Sequence, residues 1–520
     1  MASVIVHAAV EGYATPTSVA AGETVLLRCS ATVPRIAVEI ARVGAAREVV
    51  WQRDVVEVEY HAVPDNVAES GCEWPATVSV PVEPQWRSGY YEVTFRVPDM
   101  DGPAATSHAF FVVRSPHPGR DTAIVLALST TTWCAYNDWG GPNLYMGASR
   151  VSFERPLPRG FLTRPAASND RLANATAPGD REVSGWVEYL IQHGVGVWSG
   201  AAGWYNWERR FIAWAEARGY RVDLVTSLDL HAHSDVLDAY RLYLSVGHDE
   251  YWSWEMRDTV ERFVDAGGNA AFLSGNTAFW QIRIEDGGRS MVCWKDRAPS
   301  SDPVVGTPAE RRMTGLWSHP RIGRPENTLT GVSFCRGGYA RIGGGVPHGS
   351  GGYTVHRPEH WVFAGTGLRW GDVFGAEPVV VGYETDGCAL RLVDGRPVPT
   401  HEDGTPASFV VLATSPARLW SNDPGDTDLP TVMQPGVYAA MPEGRTPGEL
   451  EVIAAQVGGD TRPETIARFA HGHCVMGTYE RGGNVFTTGC TDWAYGLGRD
   501  VVVDRVTANV LDRLSRPKTS

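Results

Sequence analysis

The sequence predicts an α/β protein: an open, mostly parallel sheet carrying irregular β-rich insertions, preceded by an all-β sandwich. Three observations lead there. Short alternating apolar runs separated by Gly, Pro and Asp crowd residues 1–118, as sandwich strands do. The stretch 242–280 switches from strand to helix and back to strand within the length of one βαβ unit. From 285 to about 400, glycines and short strand signals replace both periods, which marks a β-rich lobe inserted over the sheet edge.

In chain order, strands are expected at Thr24–Cys29, Ile36–Ala41, Val49–Trp51, Val55–Tyr60, Tyr90–Phe95 and Ala109–Val113. No catalytic constellation lies among them, and residues 1–118 read as an immunoglobulin-like accessory domain. The Pro- and Gly-punctuated RSPHPGRD (114–121) is a natural boundary, so residues 119–520 form the catalytic domain. Its first strand, Ala123–Leu128, is a continuous apolar run suited to a sheet covered on both faces. The aromatic- and glycine-rich STTTWCAYNDWGGPNLYMGASR (129–150) reads as a long loop serving a site. Residues 155–182 read as a Pro- and Ala-rich surface excursion. Trp207–Arg218 is a helix burying Phe211, Ile212, Trp214 and Ala215, Val222–Val225 a strand, and DLHAHSD (229–235) a polar connection.

In the central unit, Leu242–Val246 is a buried strand that Gly247 ends, delivering His248, Asp249 and Glu250 beyond its carboxyl end. Ser253 caps the next helix, with Glu255 in its first turn, and Gly267-Gly268 closes it. Ala270–Leu273 is the second strand, after which Gly275-Asn276 turns at the same sheet edge. Val379–Arg391 reads as a strand pair around Gly387 that carries Glu384 and Asp386. Strands at Phe409–Ala413, Cys474–Tyr479 and Asn484–Thr488 and a helix at Val503–Leu514 complete the chain.

Composition narrows the function. A net charge of −14 argues against nucleic-acid binding, since no basic stripe exists to displace counterions. No stretch approaches a membrane span, and the first residues lack a basic segment followed by a long apolar core, so no secretory signal is expected. The eight cysteines show no CxxC spacing and suit reduced thiols in a cytoplasmic protein, with Cys29 and Cys72 unbonded. The 19 tryptophans mostly belong to cores.

The turn LSGNTAFW stands where a nucleophile elbow would, yet it holds Asn276 in place of Ser or Cys, and GxSxG is absent. Asn276 can orient substrate or water, or donate to an oxyanion. Glu250, His248 and the phenols Tyr136 and Tyr145 suit a hard, oxygen-seeking metal. Phenolate, with its high pKa, favours ferric iron over magnesium or calcium. Two alternatives stand beside this. Asp249 and Glu250 can serve only the following helix dipole, and the HxH pair His231/His233 is a competing ligand set.

Taken together, TTWCAYNDWGG (131–141), ASRVSFERPL (148–157), SVGHDEYW (245–252), SGNTAFW (274–280), VGYETD (381–386) and RGGNVFTTGCTDWAYGL (481–497) resemble the large-subunit family of N,N-dimethylformamidase. The resemblance implies a class I glutamine amidotransferase-like catalytic fold and a mononuclear iron held by two tyrosines and a glutamate. Carried over by motif, the ligands are Tyr136, Tyr145 and Glu250, with zinc as the fallback metal. His248, Glu384 and Asn276 are the catalytic group. Trp139, Trp280 and Trp493 would wall a pocket for small alkyl groups. The expected reaction is hydrolysis of a small amide, with Glu384 or His248 moving the proton. The family implies a small partner subunit that is not evident here, and homo-oligomerisation is also compatible. The rival classes are a non-catalytic ligand- or glycan-binding protein and a carbohydrate-active enzyme with facing carboxylates.

Overall fold

The computed structural model describes residues 9–164, 194–340, 349–419 and 448–516. Those residues fall into two compact units. One takes 9–164, 194–233 and 284–292; the other takes 234–283, 293–340, 349–419 and 448–516. Most of the expected excursion at 155–182 lies outside the described residues.

The first unit begins with two sheets. Val10–Thr15, Thr24–Ala31 and Val78–Pro81 form an antiparallel sheet. Ser18–Val19, Thr106–Val113, Gly89–Arg96, Arg35–Val43 and Arg47–Glu57 form the other. Val10, Leu27 and Val80 from one sheet share a core with Ile40, Tyr91 and Phe111 from the other, so the expected sandwich is present. The expected strands Val49–Trp51 and Val55–Tyr60 are instead one strand, Arg47–Glu57, at the sheet edge. Two register shifts against Arg35–Val43 break the alternation that suggested two pieces.

The same unit pairs Ile124–Leu128 with Asp223–Thr226 in parallel. Two stretches read as loops contain helices. Thr130–Tyr136 is helical and wholly buried, because Thr and aromatic side chains that look irregular in sequence find packing partners on every side. DLHAHSD enters the helix Ser227–Ala232. Its polar residues build the cap: Asp229 N–H donates to Thr226 Oγ1 at 3.3 Å, and Thr226 N–H to Asp229 Oδ2 at 2.7 Å. His231 and His233, two apart at the end of that helix, do not share a face. Glu208–Ala217 buries Phe211, Ile212, Trp214 and Ala215 as expected.

The second unit contains the βαβ element. Leu242–His248 runs parallel to Asn269–Gly275 with Leu242 opposite Asn269 and His248 opposite Gly275. The connecting helix Trp254–Asp265 is capped by Ser253, whose Oγ accepts from Met256 N–H at 3.2 Å. The first strand runs on through Gly247 (φ 83°) to His248, longer than the apolar run alone implied. Gly483–Thr487 adds a third parallel strand. Beyond it the order continues antiparallel through Gly472–Arg481, Val410–Ala417, Tyr353–Val355 and Val373–Phe374. This sheet is therefore mixed, not mostly parallel. The short, glycine-rich segments after residue 350 return as antiparallel neighbours, for which no crossover helix is needed.

Two further expectations are corrected here. Glu384–Gly387 does not fold back around Gly387; it pairs with Ser333–Tyr339, and the hairpin lies beyond it, between Leu390–Val393 and Arg396–Pro399. The turn after Asn269–Gly275 leads into the strand Trp280–Glu285, not into the helix of a nucleophile elbow. Val501–Leu514 closes the chain with Val506, Val510 and Leu514 buried. All eight cysteines are free and buried. Among the described residues no helix is long and apolar enough to cross a membrane.

Candidate active site

In the second unit, the carboxyl ends of two parallel strands bring the GHDEY and SGNTAFW segments side by side. Ala278 N–H donates to Asp249 O at 2.9 Å and Trp280 N–H to Glu250 O at 3.0 Å. Tyr251–Ser253 then runs parallel to the strand that begins at Trp280. Gly275 lets a third segment approach. A Cβ there would come within 2.6 Å of Glu384 O and of Thr491 N, so backbone on two sides occupies the space any larger residue needs.

The result is a buried polar cluster. His248 Nε2 lies 2.7 Å from Glu384 Oε2 and 3.3 Å from Glu250 Oε2. Asn276 Nδ2 donates to the same Glu384 oxygen at 3.0 Å, and Trp280 Nε1 donates to Glu250 Oε1 at 2.8 Å. Exposure of His248, Glu250, Asn276 and Glu384 is 3% or less. An ionised carboxylate only accepts, so the imidazole presents N–H to Glu384, and the Asn276 amide must turn its nitrogen there. Asn276 holds φ at 49°, a left-handed conformation that Asn tolerates better than most side chains. Its Oδ1 is buried without a hydrogen-bond partner among the described residues.

Asp386 braces this turn: Thr277 N–H donates to its Oδ2 at 3.1 Å. Burial pushes the Asp386 carboxyl up to about 8, so it is largely protonated at neutral pH. Ser274 is committed elsewhere. Its Oγ lies 2.9 Å from Ser245 Oγ and 2.9 Å from Thr277 Oγ1, and Ser245 donates to Asp249 Oδ2 at 2.7 Å. Lys295 sits over the Trp280 ring, 5.0 Å from its centre; burial lowers its pKa while the Glu250 charge opposes that. Tyr383 meets the His248 ring edge-on at 5.8 Å.

In the first unit, Tyr136 and Tyr145 bring their hydroxyls to 2.7 Å of each other, with rings stacked at 4.5 Å. Asn143 folds the chain back between them. Its Nδ2 donates to Tyr136 O at 3.0 Å and its Oδ1 accepts from Tyr145 N–H at 2.9 Å. Buried Arg155 fixes the next turn by donating to Asn137 O at 2.7 Å and Trp139 O at 2.8 Å. Trp198 packs on both phenols, at 5.8 Å and 5.3 Å.

Of the residues singled out in sequence, then, His248, Glu250, Asn276, Glu384 and Trp280 meet in one unit, and Tyr136 and Tyr145 meet in the other. Trp280 serves as a donor to a carboxylate. Trp139 packs edge-on against Trp74 at 5.8 Å beside the sandwich. Trp493 is fully buried between Tyr353 and Phe374, its Nε1 donating to Thr507 Oγ1 at 2.9 Å. Sequence reading passed over Asn143, Trp198, Lys295 and Tyr383. Only Asn143 left a signal, a small amide that follows Gly-Gly-Pro in a turn. Among the described residues no set of three or more His, Cys, Asp or Glu side chains is arranged to hold a metal ion.

Comparison with known proteins agrees with the motifs. Residues 37–507 match the family model described as N,N-dimethylformamidase beta subunit-like, C-terminal. An N,N-dimethylformamidase beta subunit of Paracoccus aminophilus is 23% identical over 323 residues, 59% of this chain and 36% of that protein. One from Alcaligenes sp is 28% identical over 74 residues, 14% of this chain and 10% of its own length. The chain thus spans little more than a third of the longer-matching relative.

Proposed function

Since the chain belongs to the N,N-dimethylformamidase beta subunit-like family, we propose that it is a hydrolase of small amides, acting at the C–N bond through the His248–Glu384–Asn276 cluster. The observation that carries this reading is the 2.7 Å contact between His248 Nε2 and Glu384 Oε2 inside a buried polar cluster. Such a pair can hold a proton and pass it on, as amide hydrolysis requires twice: once from water, once to the departing amine.

The proposed cofactor is a single ferric ion; the resemblance implies Tyr136, Tyr145 and Glu250 as its ligands. The phenols fit such a role. Two oxygens bound side by side to one small hard cation at about 2.0–2.1 Å lie about 3 Å apart, close to the 2.7 Å seen between these hydroxyls. When bound, the ion supplies Lewis-acid polarisation of the amide carbonyl and acidifies water. The chain's own residues do the rest. Trp280 fixes one Glu250 oxygen, Asn276 and His248 orient Glu384, and Tyr383 and neighbouring aromatics exclude bulk water. Within this proposal the catalytic region is class I glutamine amidotransferase-like, the protein is cytoplasmic, and it works as an oligomer or with a further subunit.

Elemental analysis and a visible spectrum of purified protein test the cofactor. Phenolate bound to ferric iron is expected to colour the protein, and a colourless, iron-free, active enzyme would refute the ferric assignment. Glu250→Gln is expected to lose the metal, whereas Glu384→Gln keeps it and loses turnover. Full activity in both variants would place the chemistry elsewhere.

A further inference from the structure

A carboxyl group outside the sequence motifs reaches the same buried cluster. Tyr339 and Glu384 stand directly opposite each other where Ser333–Tyr339 pairs with Glu384–Gly387, and opposite residues of an antiparallel pair project from one face. Tyr339 therefore lies beside Glu384, and its hydroxyl donates to Glu449 Oε1 at 2.9 Å. The Tyr339 ring is 6.3 Å from Tyr383, which in turn meets His248. Glu449 opens the helix Glu449–Gln456. That helix is fastened to the segment carrying Lys295 by Gln456 Nε2, which donates to Asp296 O at 2.8 Å. The ionisable groups facing Glu449 are thus Glu384, Tyr339 and Glu250 from the sheet, Lys295 and Asp296 from that segment, and Glu451 on its own helix.

Carboxyl groups that share a buried site resist ionising together. Their hydrogen bonds decide which of them keeps a proton. Glu384 takes His248 Nε2 at 2.7 Å and Asn276 Nδ2 at 3.0 Å on a single oxygen. Glu449 has a neutral phenol on Oε1, and its Oε2 is sealed from solvent. Its first-turn position on a short helix favours the charge only weakly. The Lys295 charge is matched chiefly by Glu250. Negative charge therefore settles on Glu384 and the proton on Glu449. Burial first, then the Glu384 charge, push the Glu449 carboxyl up to about 8, against the Tyr339 bond and the Lys295 charge, with Glu250 contributing least.

We infer that Glu449, held by Tyr339, stands uncharged beside the His248–Glu384 pair, and that its ionisation closes the alkaline side of activity. This rests on the amide-hydrolase reading and deepens it. Glu449 acts through the pair, as a positioning residue, and neither takes nor gives the proton that crosses to the amine. That proton passes from the pair to the nitrogen as the C–N bond breaks and its electron pair leaves with the amine. A second negative charge beside the pair binds the proton more tightly and slows the transfer.

The test pairs a pH–rate profile with an infrared titration of the purified full chain as isolated. With a midpoint near 8, wild-type kcat/KM for N,N-dimethylformamide should fall about tenfold from about pH 7 to about pH 9. Glu449→Gln still accepts from Tyr339 but cannot ionise. Near neutral pH its rate should stay within about threefold of wild type, and its fall over the same range should be less than about threefold. Tyr339→Phe removes the donor that favours the ionised form, so its limb should move to higher pH, which keeps the inference testable if the Gln variant does not fold. The protonated-carboxyl band present in wild type and absent from Glu449→Gln should disappear around pH 8. A limb that Glu449→Gln leaves in place, or that Asp386→Asn moves instead, overturns the inference. So does a Gln variant slowed equally at every pH, which would make Glu449 a proton donor or a scaffold. No amide turnover, with the band still titrating, would overturn the amide-hydrolase reading and the role built on it, and leave only the shared proton.

Discussion

Gly275→Ala is the sharpest probe of how the site is assembled. The added Cβ would stand 2.6 Å from Glu384 O, 2.6 Å from Thr491 N and 2.8 Å from Cys490 C. Ordinary carbon contacts begin near 3.5 Å, so the surrounding backbone must part by roughly 1 Å. None of the three atoms belongs to a flexible side chain, and Gly275 itself is hydrogen-bonded into a parallel register opposite His248. Overpacking of this kind costs about 1–3 kcal/mol when side chains can yield; with backbone on each side, about 3 kcal/mol is the fair expectation. That is a large share of the roughly 5–15 kcal/mol typical of a folded protein. The effect on chemistry should be larger still. Asn276 follows the substituted residue directly and Glu384 is one of the groups displaced, so their 3.0 Å bond stretches beyond hydrogen-bonding range. A misplacement of about 1 Å costs on the order of 100-fold in rate. Urea unfolding gives the stability, and kcat on a small formamide gives the rate. An Ala variant with an unchanged unfolding midpoint and unchanged kcat would show that these three segments are not packed through Gly275.

Further expectations follow from individual contacts. Asp386, raised from 3.8 to about 8 by burial, stays protonated in the fold after the unfolded chain has released its proton. Stability from this group is therefore full below about pH 4 and is lost progressively up to about pH 8. Asp386→Asn should flatten that decline in urea titrations at several pH values, and an unchanged slope would refute the assignment. Trp280→Phe keeps a ring beneath Lys295 but removes the donor to Glu250 Oε1. Metal affinity should fall by about 10–100-fold, read by competition with a chelator; equal affinity would show that the indole does not orient the carboxylate. Asn143→Ala removes both amide bonds that fold Tyr145 back onto Tyr136. It should weaken or shift the visible band of the iron-loaded protein while the sandwich strands keep their hydrogen-exchange protection, and an unaltered band would mean the phenols hold their places without it.

The fold was legible where a single period ran long enough to be read. The helix Glu208–Ala217 buries the four residues its 3.6-residue pattern named. The βαβ element follows its cap, helix and strands, because propensity, capping and hydrophobic pattern agree there. The mixed sheet was not legible. Strand direction in Val410–Ala417 and Gly472–Arg481 depends on which neighbour arrives and from which side, and no local residue encodes that. The edge strand Arg47–Glu57 misled for a related reason: its register shifts move side chains between faces, and a one-residue slip inverts an alternation pattern.

The candidate site divides along the same line. His248, Glu250, Asn276 and Glu384 could be named because chemistry restricts which residue types stand at strand ends, and the structure gathers these four within hydrogen-bonding range or close to it. Their mutual orientation could not be read, and it changes the meaning of one of them. In sequence, Asn276 is a donor for an oxyanion as readily as anything else. In the fold, Glu384 claims its nitrogen, and the buried oxygen that remains can only accept. The same happens to Trp280, an apolar wall in sequence and a hydrogen-bond donor to Glu250 in the fold. Aromatic residues are where identity says least about role: Trp493, of the same residue type, is sealed in a core and bonded to Thr507. What separates the two indoles is whether a carboxylate waits at the end of the N–H. That depends on a backbone contact between Glu250 and Trp280, 30 residues apart, and so on the pairing of two short strands, not on either residue alone.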